Sequence, residues 1–194
     1  MNTAHYTLYG EVAKGEVTGV IHHILGHLDE RETDDYGTDS KPKHYVLHLN
    51  SPGGDLIEAL AAINLMRSIE VPITTVANVG VESAALLLFL AGDRRIVLPN
   101  SYGMAHHMSA DAVGNFHNLK DIVGHLEMLE ASMLDIFAET TDLDELFIKR
   151  NFLGRSDFFM SAYDMVRYNI ATEMVEPKNL QKVLESYDNI KKKA

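Results

Sequence analysis

Apolar and polar positions along the chain change period several times, and each change marks an element. Residues 6–12 (YTLYGEV) are rich in β-prone side chains and predict a short strand. From Val17 to Leu28 the apolar residues fall at Val17, Val20, Ile21, Ile24, Leu25 and Leu28, the spacing of a helix. Residues 29–43 (DERETDDYGTDSKPK) are polar, hold Gly and Pro and have no period, so they predict an exposed loop. Tyr45–Leu49 reads as a strand, Asn50–Gly54 as a sharp turn, and Asp55–Ile69 as a helix burying Leu56, Leu60, Ile63 and Leu65 or Met66. Val71-Pro72 ends that helix, Ile73–Ala77 is again β-rich, and Asn78–Glu82 reads as a turn. Ser83–Ala91 is apolar on every side and closed by Gly92, which predicts a short, wholly buried helix. Arg95–Leu98 and Gly103–Ala105 read as strands flanking a Pro99-Asn100-Ser101 turn.

The second half is mostly helical. Residues 116–139 form one long amphipathic segment, with Leu119, Ile122, Val123, Leu126, Leu129, Met133, Ile136 and Phe137 at helical spacing. Thr141-x-x-Asp144 and Ser161-x-x-Asp164 have the pattern of capping boxes, predicting short helices to about Asn151 and through Tyr168. The tail, 177–194, is helix-permissive and ends in three lysines. Strands and helices alternate first and helices dominate later. The prediction is one α/β domain over residues 1–176 with a helical extension, followed by a helical or flexible tail.

Composition narrows the function. The 194 residues are 46% hydrophobic and 23% charged, which is ordinary for a folded domain. The formal charge of −11 disfavours a general nucleic-acid surface. There is no cysteine, hence no disulfide scaffold, thiolate metal site or thiol nucleophile. The longest apolar run is about 10 residues, where a membrane span needs roughly 20. No basic segment followed by an apolar run opens the chain, so a soluble, cytoplasmic protein is expected.

Acyl transfer requires a nucleophilic oxygen, a base and donors for an oxyanion. Ser83 opens the buried helix, where free N–H groups favour negative charge; by itself a plain N-cap is the commoner reading. Gly53-Gly54 lies at a strand-to-helix turn, where glycine lets backbone approach a ligand; a tight turn without ligand is the plainer reading. Neither phosphate-binding glycine motif is present. His106-His107 follows a β-like run and supplies a base of the right type, although the chain has ten histidines. Asp157, alone, reads as a surface aspartate that could hold an imidazole tautomer. A metal site is disfavoured. His23-x-x-x-His27 lacks the glutamate of HExxH, and His44 and His48 lie roughly 13 Å apart along one strand. Met104, Met108, Met128, Met133 and Met160 read as core filler.

Four segments in order carry a resemblance: LHLNSPGGDL (Leu47–Leu56), the serine-opened helix Ser83–Gly92, LPNSYGMAHH (Leu98–His107), and SDFFMSAYDMVRYNIATEMV (Ser156–Val175). Together they resemble ClpP, the proteolytic subunit family of the Clp protease, from about Tyr6 to Val175. The resemblance implies a ClpP/crotonase-like α/β fold of repeated β-β-α units with a helical handle, here residues 116–139. It implies a serine endopeptidase with Ser83 as nucleophile, His106 as base and Asp157 as orienting acid. The backbone N–H groups of Gly54 and Ala84 take the oxyanion positions. No cofactor is implied. The implied partners are further copies of the chain in stacked heptameric rings, a peptide or unfolded-protein substrate, and a hexameric Clp ATPase.

Several departures accompany it. Val81-Glu82-Ser83-Ala84-Ala85 replaces the family's Ala-Ala-Ser-Met-Gly, setting a carboxylate beside the serine. His107 stands where the family has glutamine, and residues 108–117 lack its Gly-rich strand. The chain begins near the family's first core strand, so the axial segment that helps engage the ATPase is expected to be missing. Residues 29–43 read as an insertion and 177–194 as an extension. Two other functions are compatible in class. One is a catalytically silent structural subunit. The other is a crotonase-like acyl-CoA enzyme, for which no suitably placed acidic residue is seen.

Overall fold

The computed structural model describes residues 3–29 and 42–186. The strands are β1 (Thr3–Tyr9), β2 (His44–Ser51), β3 (Ile73–Glu82), β4 (Arg94–Val97), β5 (Tyr102–Ala105), β6 (Phe158–Ser161) and β7 (Glu173–Met174). The helices are α1 (Lys14–Asp29), α2 (Leu56–Ser68), α3 (Ala84–Leu90), α4 (Phe116–Thr140), α5 (Glu145–Phe147), α6 (Ala162–Arg167) and α7 (Leu180–Glu185). A π-helical turn, Ile148–Phe152, continues α5, and a 3-10 turn, Pro177–Asn179, leads into α7.

The first five strands in sheet order are β1-β2-β3-β4-β7, all parallel. Each parallel step needs a crossover, and the helices supply it. β3 is the hinge of the topology. Its first half, Thr74–Ala77, pairs with β4, and its last residues, Gly80–Glu82, pair with β5. β6 then adds antiparallel to β5. This mixed, mostly parallel α/β architecture agrees with the ClpP-type fold expected from the sequence.

Strand alternation sends side chains to two faces. Leu47, Leu49, Ile73 and Ala77 enter the main core with α1, α2 and all of α3. Every residue of α3 is buried, as its unbroken apolar run requires. On the opposite face Val46, Val76 and Ile96 form a smaller cluster with Val175 and Leu184, with Leu180 and Val183 packed against it. The described part of the tail is therefore held on the sheet, with the Arg94 guanidinium donating to the Val183 carbonyl at 3.1 Å.

Arg95 is fully buried and stitches β4 to the turn before β7. Its guanidinium donates to the carbonyls of Ile170 (2.8 Å), Gly92 (3.2 Å) and Asn169 (3.0 Å). Asn169 has φ of 55°, and the arginine clasps this left-handed turn.

Several expectations need correction. β1 spans Thr3–Tyr9, not residues 6–12; Val12 instead bridges Gly54. Asn78–Glu82 is not a turn but the end of β3; pairing of Gly80–Glu82 with β5 overrides the turn preference of Gly80. Thr141 does not open a capping box: its hydroxyl donates back to Phe137 O at 2.8 Å and closes α4. Asp144 is the actual N-cap of α5, accepting from Phe147 N–H at 2.8 Å. The Ser161–Asp164 capping box is present in both directions. Strands β6 and β7 have no counterpart in the sequence reading. Of the expected loop 29–43, residues 30–41 lie outside the described residues, as do 187–194 of the tail.

Candidate active site

Ser83 sits where β3 gives way to α3. Its N–H donates to Met104 O at 2.8 Å, continuing the β3–β5 pairing. Its φ is 53° and ψ −124°, outside the basins a serine prefers, so the sheet and the buried helix together hold a bent residue in place. It occupies the N-cap position but its hydroxyl makes no cap bond. Oγ lies instead 2.7 Å from Nε2 of His106. A capping serine would spend its oxygen on the helix, and the Ser83 hydroxyl does not.

The β5–β6 pairing explains the third residue. Ala105 faces Phe158 across this antiparallel pair. The next residue out on each strand, His106 and Asp157, are therefore neighbours. His106 Nδ1 lies 3.5 Å from Asp157 Oδ1, within ion-pair reach but longer than a tight hydrogen bond. The Asp157 side chain is 55% exposed, so solvent screens this pair.

The glycine turn approaches from β2. Gly53 has φ of 89°, and a Cβ there would lie 2.6 Å from Glu82 O and 2.7 Å from Ser83 Cβ. Only glycine lets the turn come this close. Gly54, with φ of 145°, bridges Val12 through its neighbours: Val12 N–H donates to Gly53 O and Asp55 N–H to Val12 O, both at 2.7 Å. In such a bridge the N–H of the central residue faces the other edge. Asp55 caps α2, accepting from Ile57 and Glu58 N–H.

Ser83, Ala84, Gly54 and His106 line one cleft of about 590 Å³. Its far wall comes from α4, through His125, Leu126, Leu129 and Met133, and its floor from Leu87, Met104 and Met108. Met104, Met108 and Met133 are thus cleft lining as well as packing, which amends the core-filler reading. His125 went unnoticed in the sequence; its position one residue before the inward Leu126 was the available signal. A second cavity of about 640 Å³ opens on the other side of His106, lined by Lys149, Arg150, Arg155 and Asp157.

Glu82 turns away from the serine. Its carboxylate accepts from the Tyr102 hydroxyl at 2.8 Å, and that bond raises the tyrosine pKa above its ordinary value. His107 also turns away, with Nδ1 3.0 Å from Met108 O and Nε2 3.4 Å from Glu130. Among the described residues no group of three or more His, Asp or Glu side chains is placed to hold a metal ion. The side chain of His27, half of the i,i+4 pair, lies outside the described residues. No described helix is long and apolar enough to cross a membrane.

A hydroxyl bonded to an imidazole at a helix start, with a carboxylate behind and a glycine turn beside it, is the equipment of serine-dependent acyl transfer. A family model for Clp protease matches residues 8–178, and the chain belongs to that family. It is 30% identical over 132 residues to the ATP-dependent Clp protease proteolytic subunit of Deinococcus radiodurans, covering 67% of this chain and 64% of that protein. It is 25% identical over 178 residues to the ATP-dependent Clp protease proteolytic subunit 2 of Treponema denticola, covering 91% of this chain and 84% of that one.

Proposed function

We propose that the protein is a serine endopeptidase of the Clp type, working inside an oligomeric chamber. The observation that carries this reading is the 2.7 Å approach of Ser83 Oγ to His106 Nε2 at the mouth of the cleft. His106 takes the Ser83 proton as Oγ attacks the peptide carbonyl carbon. The carbonyl oxygen becomes an oxyanion facing the N–H groups of Gly54 and Ala84. His106 returns the proton to the leaving amine as the C–N bond breaks, leaving an acyl-serine. A water, deprotonated by the same imidazole, hydrolyses that ester and restores Ser83. Asp157 orients the ring and offsets its positive charge.

Exposed apolar residues on α4, Phe116, Leu119, Val123 and Met128, support an assembly in which copies cover one another. Stacked heptameric rings are the proposed form.

A fluorophosphonate probe should label the wild-type chain on Ser83, and Ser83→Ala should lower peptide cleavage by about 10⁴-fold or more. Native mass spectrometry of the same sample should show rings. Short peptides should be cut unaided, and folded proteins only with a Clp-type ATPase and ATP. Rings that neither label nor cleave would return the silent structural subunit. Labelling on another serine would overturn the site.

A further inference from the structure

Strands β1 and β2 bring two imidazoles together on the sheet face turned away from α1–α3. Thr7 faces His48 in the parallel register, so His5 is the diagonal neighbour of His48 on that face. Their nitrogens, Nδ1 of His5 and Nε2 of His48, lie 3.2 Å apart, with 18° between the ring planes. His48 is held from behind: its Nδ1 lies 3.4 Å from Asn78 Oδ1, and the Asn78 amide donates to the Tyr9 hydroxyl. An amide oxygen only accepts, so His48 carries its proton on Nδ1 and keeps a lone pair on Nε2, facing His5.

We propose that His5 and His48 form a two-histidine site for a divalent transition-metal ion that prefers imidazole, of the Ni²⁺, Cu²⁺ or Zn²⁺ class. Metal–nitrogen bonds of about 2.0–2.1 Å put two imidazole nitrogens about 2.9 Å apart at a right angle and about 3.3 Å apart at the tetrahedral angle. The observed 3.2 Å lies between these spans. In the metal-free state His5 donates its Nδ1 proton to His48. On binding, that proton transfers through solvent to His5 Nε2, and both facing nitrogens offer lone pairs with no net proton change. His5 is exposed, so its ring can swing to aim its lone pair off the line between the nitrogens. Asn78 acts as the outer partner that fixes the tautomer of a ligating histidine. Burial lowers the pKa of His48, which keeps its lone pair available near neutral pH. Water fills the remaining coordination positions, and such a nitrogen-based set discriminates against Mg²⁺ and Ca²⁺. The ion would tie the edge strand β1 to β2, stabilising the folded chain by linkage.

The test uses the full-length protein with Ni²⁺ in calorimetry and Cu²⁺ in electron paramagnetic resonance. The tightest Ni²⁺ event should weaken at least tenfold in His5→Ala and in His48→Gln, and remain in His117→Ala, a histidine on another element. The Cu²⁺ spectrum should show coupling to two nitrogens, lost in His5→Ala. Because His5 is exposed, its replacement leaves the fold intact, so unchanged Ni²⁺ affinity in that variant would overturn the site. So would a tightest event that vanishes in His117→Ala.

Discussion

In the proposed mechanism Ser83 attacks only if its neighbours hold it bent, and Gly53 is the neighbour with least tolerance. A methyl group there would meet Glu82 O and Ser83 Cβ well inside van der Waals contact, from a backbone at φ 89° that alanine resists. Gly53→Ala should lower kcat/KM for a peptide substrate by roughly 100-fold, the scale of an ångström's misplacement at a reacting atom. Steady-state kinetics, read beside a thermal melt showing the variant still folds, checks this. The residue scale was only partly legible in the sequence. Ser83, His106 and Asp157 were each ordinary alone, and it took four ordered segments to make them a set. The crowding at Gly53 and the turning of Glu82 toward Tyr102 arise from strand pairing, and no local pattern encodes either.

At the scale of elements, the divided loyalty of β3 matters most. By pairing with β4 and then β5 it opens the sheet where the cleft lies and carries Ser83 to its rim. Local propensity missed the second half of β3 because Asn78 and Gly80 favour turns, and at Gly80 that preference yields to the pairing β5 offers. β6 and β7, at four and two residues, are too short to show a period. The helices were readable, α3 and α4 above all, because a continuous apolar run or stripe survives in sequence. Arg95 is the fastening among these short strands. Arg95→Ala would strand carbonyls of Gly92, Asn169 and Ile170 without their donor and leave a cavity. A loss of about 3 kcal/mol is expected from urea unfolding. A loss under 1 kcal/mol would show that water replaces the guanidinium.

For the whole molecule, pH acts through the sheet face opposite the main helices. His44 is buried there, its Nε2 2.7 Å from Thr74 Oγ1. Burial, with repulsion from His5 and Arg94 and a smaller opposing pull from Asp93, holds its pKa down to about 4 against 6.5. The unfolded chain binds this proton first, so stability is full above about pH 6.5 and drains as pH falls toward 4. The gap amounts to roughly 3 kcal/mol. His48, also lowered by burial, adds a change of the same sign. The midpoint of denaturant unfolding should fall across this window, and more gently in His44→Asn. A variant with the wild-type slope would remove His44 as the cause. The sequence already placed His44 and His48 on one strand at even spacing, hence on one side; the burial of His44 and the approach of His5 were not legible, because both depend on the neighbouring strands. The other half of that side is roofed by α7. Residues 177–185 are consequently masonry, not fringe: clipping the chain ahead of Pro177 would lay bare oily strand residues and trade solubility for clumping, without touching the cleft at Ser83.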